Sequence, residues 1–195
     1  MMKTIILSII TLCATMFIVS CGGSKSQSSV TESNKVDSVA LLTVEELLDS
    51  AESLVGSPVL VQGLCTHACS QGAKRIFMAG SADSVSLRIE AGELGAFDRS
   101  CIKSQVKVWG VLHEQRIDEA YLQNWEAKVA AKTDERHGKG EAGCDSEKKS
   151  RGERGNTVAE RIADFRKRIA EGKAATGREY LSFYYLVATK YEVVE

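Results

Sequence analysis

The densest group of chemically capable side chains is Cys65-Thr66-His67-Ala68-Cys69. In an extended strand, positions 65, 67 and 69 point the same way at steps of about 6.5–7 Å. Two thiols and an imidazole would then share one face, a donor set suited to zinc or copper if the strand end curls to converge them. His137 and Cys144 lie farther along the chain and could act as outer ligands. The spacing is not one of the standard zinc patterns, nor is it the C-x-x-C arrangement of thiol-redox sites.

A second cysteine defines the setting. Met1 to Thr4 carries one charge, Lys3, and Ile5 to Val19 is a predominantly apolar run, interrupted only by Ser8, Thr11 and Thr15, that ends in Ile18-Val19-Ser20-Cys21. Such a run matches a signal h-region and is short for a transmembrane helix, which needs about 20 apolar residues. An apolar residue at −3, a small residue at −1 and cysteine at +1 resemble the lipobox of bacterial lipoproteins. That resemblance implies cleavage after Ser20, diacylglycerol and palmitate-type acylation on Cys21, and membrane anchoring through several acyl chains. Gly22 follows in place of the aspartate that retains some lipoproteins at the inner membrane, so the expected location is the outer membrane, facing the periplasm.

In that oxidising compartment the four cysteines Cys65, Cys69, Cys101 and Cys144 are disulfide candidates, with three possible connectivities. A Cys65–Cys69 bridge requires a turn that brings the α-carbons within about 7 Å. A Cys69–Cys144 bridge would staple a distant segment onto the domain. Disulfides or buried thiols are favoured over a metal site, and a metal site over catalytic redox.

The elements that must position these groups follow from periodicity. Residues 21–40 are serine-rich and polar, a flexible tether. Thr43 and Glu46 have capping-box spacing at the head of a helix with an apolar stripe through Leu47, Leu48, Ala51 and Leu54, stopped at Gly56. The period then falls to about two. Strands are expected over residues 59–68, 75–79, 84–90 and 105–114, with a loop or short helix over residues 92–102. Gly63 and Gly110 fall mid-strand, where glycine marks a bulge or a barrel corner. A helix is expected from Asp118, through Tyr121, Leu122, Trp125 and Val129. Another begins near Thr157 with Glu160 in capping register and Ile162, Phe165 and Ile169 buried. Between them, residues 132–155 are rich in Lys, Glu, Gly and Ser, a charged insertion expected to be solvated. Residues 180–194 are strongly β-prone.

This order suits a mainly β fold with flanking helices, a five-stranded Greek-key barrel with a helical excursion before its last strand. The segments Val59-Leu60-Val61-Gln62-Gly63-Leu64-Cys65 and Gln105-Val106-Lys107-Val108-Trp109-Gly110 resemble the first and fourth strands of OB-fold domains. Together with Lys74-Arg75-Ile76-Phe77 and Tyr184-Tyr185-Leu186-Val187-Ala188, they are similar to uncharacterised exported OB-fold lipoproteins, distantly like anticodon-binding OB domains. The resemblance covers roughly residues 40–195 apart from the charged insertion, residues 41–195 being the expected OB-fold-like domain, and it brings no assigned reaction and no catalytic residues.

Composition narrows the partners. The 195 residues carry 25 basic and 26 acidic side chains, and residues 1–20 contribute only Lys3, so the mature chain is slightly acidic. That balance gives no overall electrostatic footprint for nucleic acid. Phe77 is the only aromatic on the expected second and third strands, where nucleic-acid-binding OB domains stack bases. Asp118 and Glu119 suit a helix N-terminus without any catalytic role. The expectation is a non-enzymatic, membrane-anchored binding module for a small ligand or protein partner. Its alternatives are metal or haem handling through Cys65, His67 and Cys69, and nucleic-acid binding.

Overall fold

The computed structural model describes residues 39–70, 72–81, 85–133 and 144–194. The leader, Cys21, most of the tether, and His137 lie outside the described residues. Among the described residues, six strands and five helices follow in the order β1 (Leu41–Thr43), α1 (Val44–Asp49), α2 (Ala51–Leu54), β2 (Pro58–Ala68), β3 (Arg75–Ala79), β4 (Ser86–Glu90), β5 (Gln105–Ile117), α3 (Glu119–Ala130), α4 (Asp145–Ser150), α5 (Val158–Thr176) and β6 (Leu181–Val194). Two short 3₁₀ turns, Gly92–Leu94 and Arg99–Cys101, link β4 to β5.

Five of the strands close on themselves. β2 pairs antiparallel with β3 and with β5, β3 with β4, and β5 with β6, while β4 and β6 pair parallel. The resulting circuit β2-β3-β4-β6-β5-β2 is an OB-like barrel, with β1 added as a parallel edge strand on β2. The parallel β4–β6 contact requires a crossover connection, and β5, antiparallel to β6, carries the chain back for it; the helical excursion α3–α5 is inserted where β5 turns into β6.

The barrel interior takes alternate side chains: Val59, Val61 and Cys65 from β2, Ile76 and Met78 from β3, Leu87 and Ile89 from β4, and Val106, Val108 and Leu112 from β5. α1 closes one end with Val44 and Leu47. Its Thr43–Glu46 capping box is formed, each side chain accepting a bond from the other residue's backbone N–H. At Gly110 the β5–β6 register shifts, and a Cβ there would collide with the carbonyl oxygen of Val187. That close approach is what the mid-strand glycine permits.

β5 and β6 run on together beyond the barrel, from Gln105 opposite Val194 to Ile117 opposite Leu181. α3 and α5 pack on this extension through a second, smaller core of Ile117, Leu122, Ile162 and Phe165. Each helix begins as its sequence requires. Asp118 accepts from the Tyr121 N–H, and Thr157 and Glu160 form a full capping box. Gly177, at φ +76°, ends α5 in the left-handed conformation that glycine adopts without strain.

The charged segment departs from expectation. Residues 144–155 are not a solvated run: α4 forms within them, and the side chains of Glu147 and Glu153 are buried. The physical reason is pairing, since arginines of the barrel and of α5 meet these carboxylates. A segment with few apolar residues gives no periodic signal of burial, so composition alone reads it as solvent-facing.

Candidate functional site

The Cys-x-His-x-Cys group is split by one irregularity. Between β2 and β3 the register runs Cys65 opposite Met78 and His67 opposite Phe77, two residues of β2 against one of β3. Such a bulge reverses the facing of everything after it. Cys65 therefore points into the barrel, fully buried, its thiol donating to the carbonyl of His67 at 3.7 Å. Burial, with the neighbouring Cys101, pushes the Cys65 thiol up to about 11. His67 emerges on the outer side, its ring 5.9 Å from that of Phe77. The expected set of Cys65, His67 and Cys69 is thus not assembled on one face. Among the described residues no three His, Cys, Asp or Glu side chains are grouped to hold a metal ion.

His67 instead meets Cys144, with Nε2 and Sγ 3.6 Å apart. Cys144 immediately precedes α4 and is half-buried, whereas Cys65, Cys69 and Cys101 are buried; all four are free thiols. One of the proposed outer ligands therefore lies beside the imidazole, and Cys65 does not.

α4 carries the rest of the site onto the outer surface of β3 and β4. Alternation along these strands sends Ile76, Met78, Leu87 and Ile89 inward, and Phe77 and Arg88 to the other side. The Arg88 guanidinium lies 4.5 Å from the centroid of the Tyr185 ring on β6, and it reaches Gln115 Oε1 at 3.4 Å. Tyr185 in turn stacks on His113 of β5 at 5.4 Å. Glu147 is the only buried residue of α4. Its Oε1 accepts from Arg88 Nη1 at 2.5 Å and lies 3.6 Å from Arg151 Nη2.

From there the charges alternate outward. Arg151 pairs with Glu153 at 2.6 Å, and Glu153 pairs with Arg161 of α5 at 2.5 Å. Arg161 covers the Trp125 ring at 4.7 Å. Arg75 and Arg88 both approach Glu90, at 3.4 and 3.7 Å. Burial alone would raise the Glu147 carboxyl, but the guanidinium groups of Arg88 and Arg151 hold it below the ordinary carboxylate value. Sequence reading singles out none of Glu147, Arg151, Glu153 or Arg161. Their signal is long-range complementarity, invisible to local periodicity.

No family model matches the chain, and no curated protein matches it. Among solved structures, a putative aspartyl-tRNA synthetase from Leishmania major Friedlin is similar over 44% of this chain and 18% of that one, at 23% identity and a TM-score of 0.28. The OB-like assignment rests on the strand circuit described above.

Other sequence candidates have structural settings. Asp118 caps α3, and Glu119 pairs with Arg166 of α5 at 2.7 Å. Trp109 lies on the outer side of β5, under the Lys190 ammonium at 4.4 Å.

Proposed function

We propose that the chain is a lipoprotein of the bacterial cell envelope, anchored through Cys21, whose OB-like barrel is a non-catalytic binding module for a small ligand or a protein partner in the periplasm. The anchor rests on the charged start, the apolar run and Ile18-Val19-Ser20-Cys21. The observation that carries the binding role is the outer surface of β3 and β4. This corresponds to the second- and third-strand face through which OB folds bind ligands, and the connection between the last two strands is the loop they use as well. Here that connection carries α4, laid on that face. The polar groups of the face are engaged in charge pairs and stacking, which supports a binding role.

The test is mass spectrometry of protein extracted from membranes. An acylated Cys21 as the first residue is the expected result, with Cys21→Ala shifting the protein to the soluble fraction. An unmodified N-terminus, or a Cys21→Ala chain that stays membrane-bound, would overturn the anchor. Pull-down from native envelopes is expected to return a partner or small molecule. A catalytic activity abolished by one polar substitution that leaves the fold intact would overturn the non-enzymatic reading.

Metal handling is a second reading, favoured by the 3.6 Å approach of Cys144 Sγ to His67 Nε2. Zinc–sulfur and zinc–nitrogen bonds of about 2.3 and 2.0–2.1 Å place two tetrahedral ligands roughly 3.5 Å apart. Metal analysis of protein purified from the envelope decides it. Zinc or copper lost on His67→Ala and on Cys144→Ser supports this reading, and metal-free protein removes it.

A further inference from the structure

α4 is attached to the barrel in an unusual way. Its sequence, Asp145-Ser146-Glu147-Lys148-Lys149-Ser150, contains no apolar side chain. A six-residue helix has little stability of its own, because too few hydrogen bonds offset the cost of nucleation. Just ahead of the helix Cys144 meets His67 of β2, and within the helix its hold on the sheet runs through the Glu147 carboxylate, seated on Arg88 with Arg151 beside it.

Such a contact opens at low cost. Undocking returns carboxylate and guanidinium to water, and the recovered hydration offsets most of the lost attraction. An apolar interface of similar size would have no such compensation. The surface left behind is cationic. On the sheet Arg75 and Arg88 face one carboxylate, Glu90, at 3.4 and 3.7 Å, whereas Glu147 and Arg151 leave with α4. Withdrawal of Glu147 strips Arg88 of its closest counter-charge. Arg88 would then stand with its planar fork backed by Tyr185 and steadied by Gln115, an arrangement suited to a carboxylate or phosphate.

We propose that Glu147 is an internal stand-in for an anionic ligand. A small molecule bearing a carboxylate or phosphate group would take the place of the Glu147 side chain on Arg88, and α4 would lift from the sheet. This inference rests on the reading of the barrel as a binding module and names the class of ligand its face takes. The coupling is competitive: weakening the Glu147 contact raises the population of the open face and tightens external binding by the same factor.

The experiment uses the full chain in detergent, with sodium pyrophosphate as the phosphate probe and citrate as the carboxylate probe. Binding is followed by calorimetry, and opening by hydrogen exchange of the amides in residues 145–150. Glu147→Gln is expected to speed that exchange at least tenfold and to tighten one probe at least tenfold. Arg88→Gln in the Glu147→Gln background is expected to abolish the binding. The stronger of the two probes assigns the ligand to phosphates or to carboxylates.

The proposal fails if Glu147→Gln leaves the α4 amides as protected as before, if neither probe binds the opened protein, or if binding survives Arg88→Gln. Should a variant fail to fold, the unaltered chain serves. Added probe should then deprotect the α4 amides at an ionic strength where sodium chloride does not, and equal effects of the two salts overturn the proposal. Failure of both probes alongside a partner recovered from envelope pull-down sinks this inference alone; recovery of nothing sinks the binding module with it.

Discussion

Cys144 Sγ and His67 Nε2 lie 3.6 Å apart across 77 residues of sequence. The contact joins the start of α4 to the outer side of β2 and sets Cys144 apart from the other three described thiols. Cys65 and Cys101 are fully buried and Cys69 nearly so. Burial also raises the Cys65 and Cys101 thiols above their ordinary value, which keeps them protonated and unreactive near neutrality. We predict that iodoacetamide at pH 8 labels Cys144 before Cys65, Cys69 or Cys101 in the reduced, folded protein. Peptide-level mass spectrometry reads the order, and equal labelling of Cys65 would contradict this placement.

The Glu147 carboxyl supplies a pH test. Its folded-state value lies below the ordinary value of 4.5, so the unfolded or undocked state binds the proton more readily. Its contribution is therefore complete above about pH 5 and is lost as pH falls through the lowered value. Protection of the α4 amides, corrected for intrinsic exchange, should stay flat from pH 7 to about 5 and drop as the pH is lowered further. Glu147→Gln should show no such drop.

Gly110 tests the barrel corner. An added methyl meets the Val187 carbonyl at the register shift, and backbone cannot yield as a flexible side chain can. Gly110→Ala is expected to cost roughly 3 kcal/mol or more. Gly95, at φ +77°, has open space for 4 Å around the position a Cβ would take. Only backbone strain opposes alanine there, about 1–3 kcal/mol. Urea denaturation of the two variants compares them directly; equal losses would mean that close approach is not what Gly110 provides.

Phe165 anchors the smaller core, fully buried with its ring 5.9 Å from Phe183 and 6.5 Å from Trp125. Phe165→Ala should cost about 3–5 kcal/mol at that core. Because this cluster is separate from the barrel interior, amide exchange should rise in α5 well before it rises in β3. A uniform rise would instead make the two cores one cooperative unit.

Much of this fold is legible because its determinants are local. The Thr43–Glu46 and Thr157–Glu160 boxes, Asp118 as a cap, and the two-residue alternation of Leu87 and Ile89 each announce an element within a few residues. Gly63 and Gly110 point to irregular strands, and at Gly110 the register does shift. The candidate site is far less legible. A bulge between Cys65 and His67 depends on how β3 pairs with β2, and no pattern within residues 65–69 encodes it; strict alternation therefore puts three donors on one face. α4 is hidden for a related reason. Its carboxylate is buried by an arginine 59 residues upstream and by others beyond the helix, so a run that looks hydrophilic is in fact half of a matched set. The edge strand Leu41–Thr43 is too short to have a period at all.

The parallel pairing of β4 with β6 also dictates when the barrel can exist. β2 to β5 can meet as a sheet while the chain is still being made, but the gap between β4 and β5 stays open until residues 181–194 arrive. Until that moment two strand edges are bare, a standing invitation to intermolecular pairing. Closure then waits on contacts separated by roughly a hundred residues, the kind that slow folding. A nascent chain halted before Leu181 should be the form most prone to aggregate, and a helper that masks strand edges would be needed longest there.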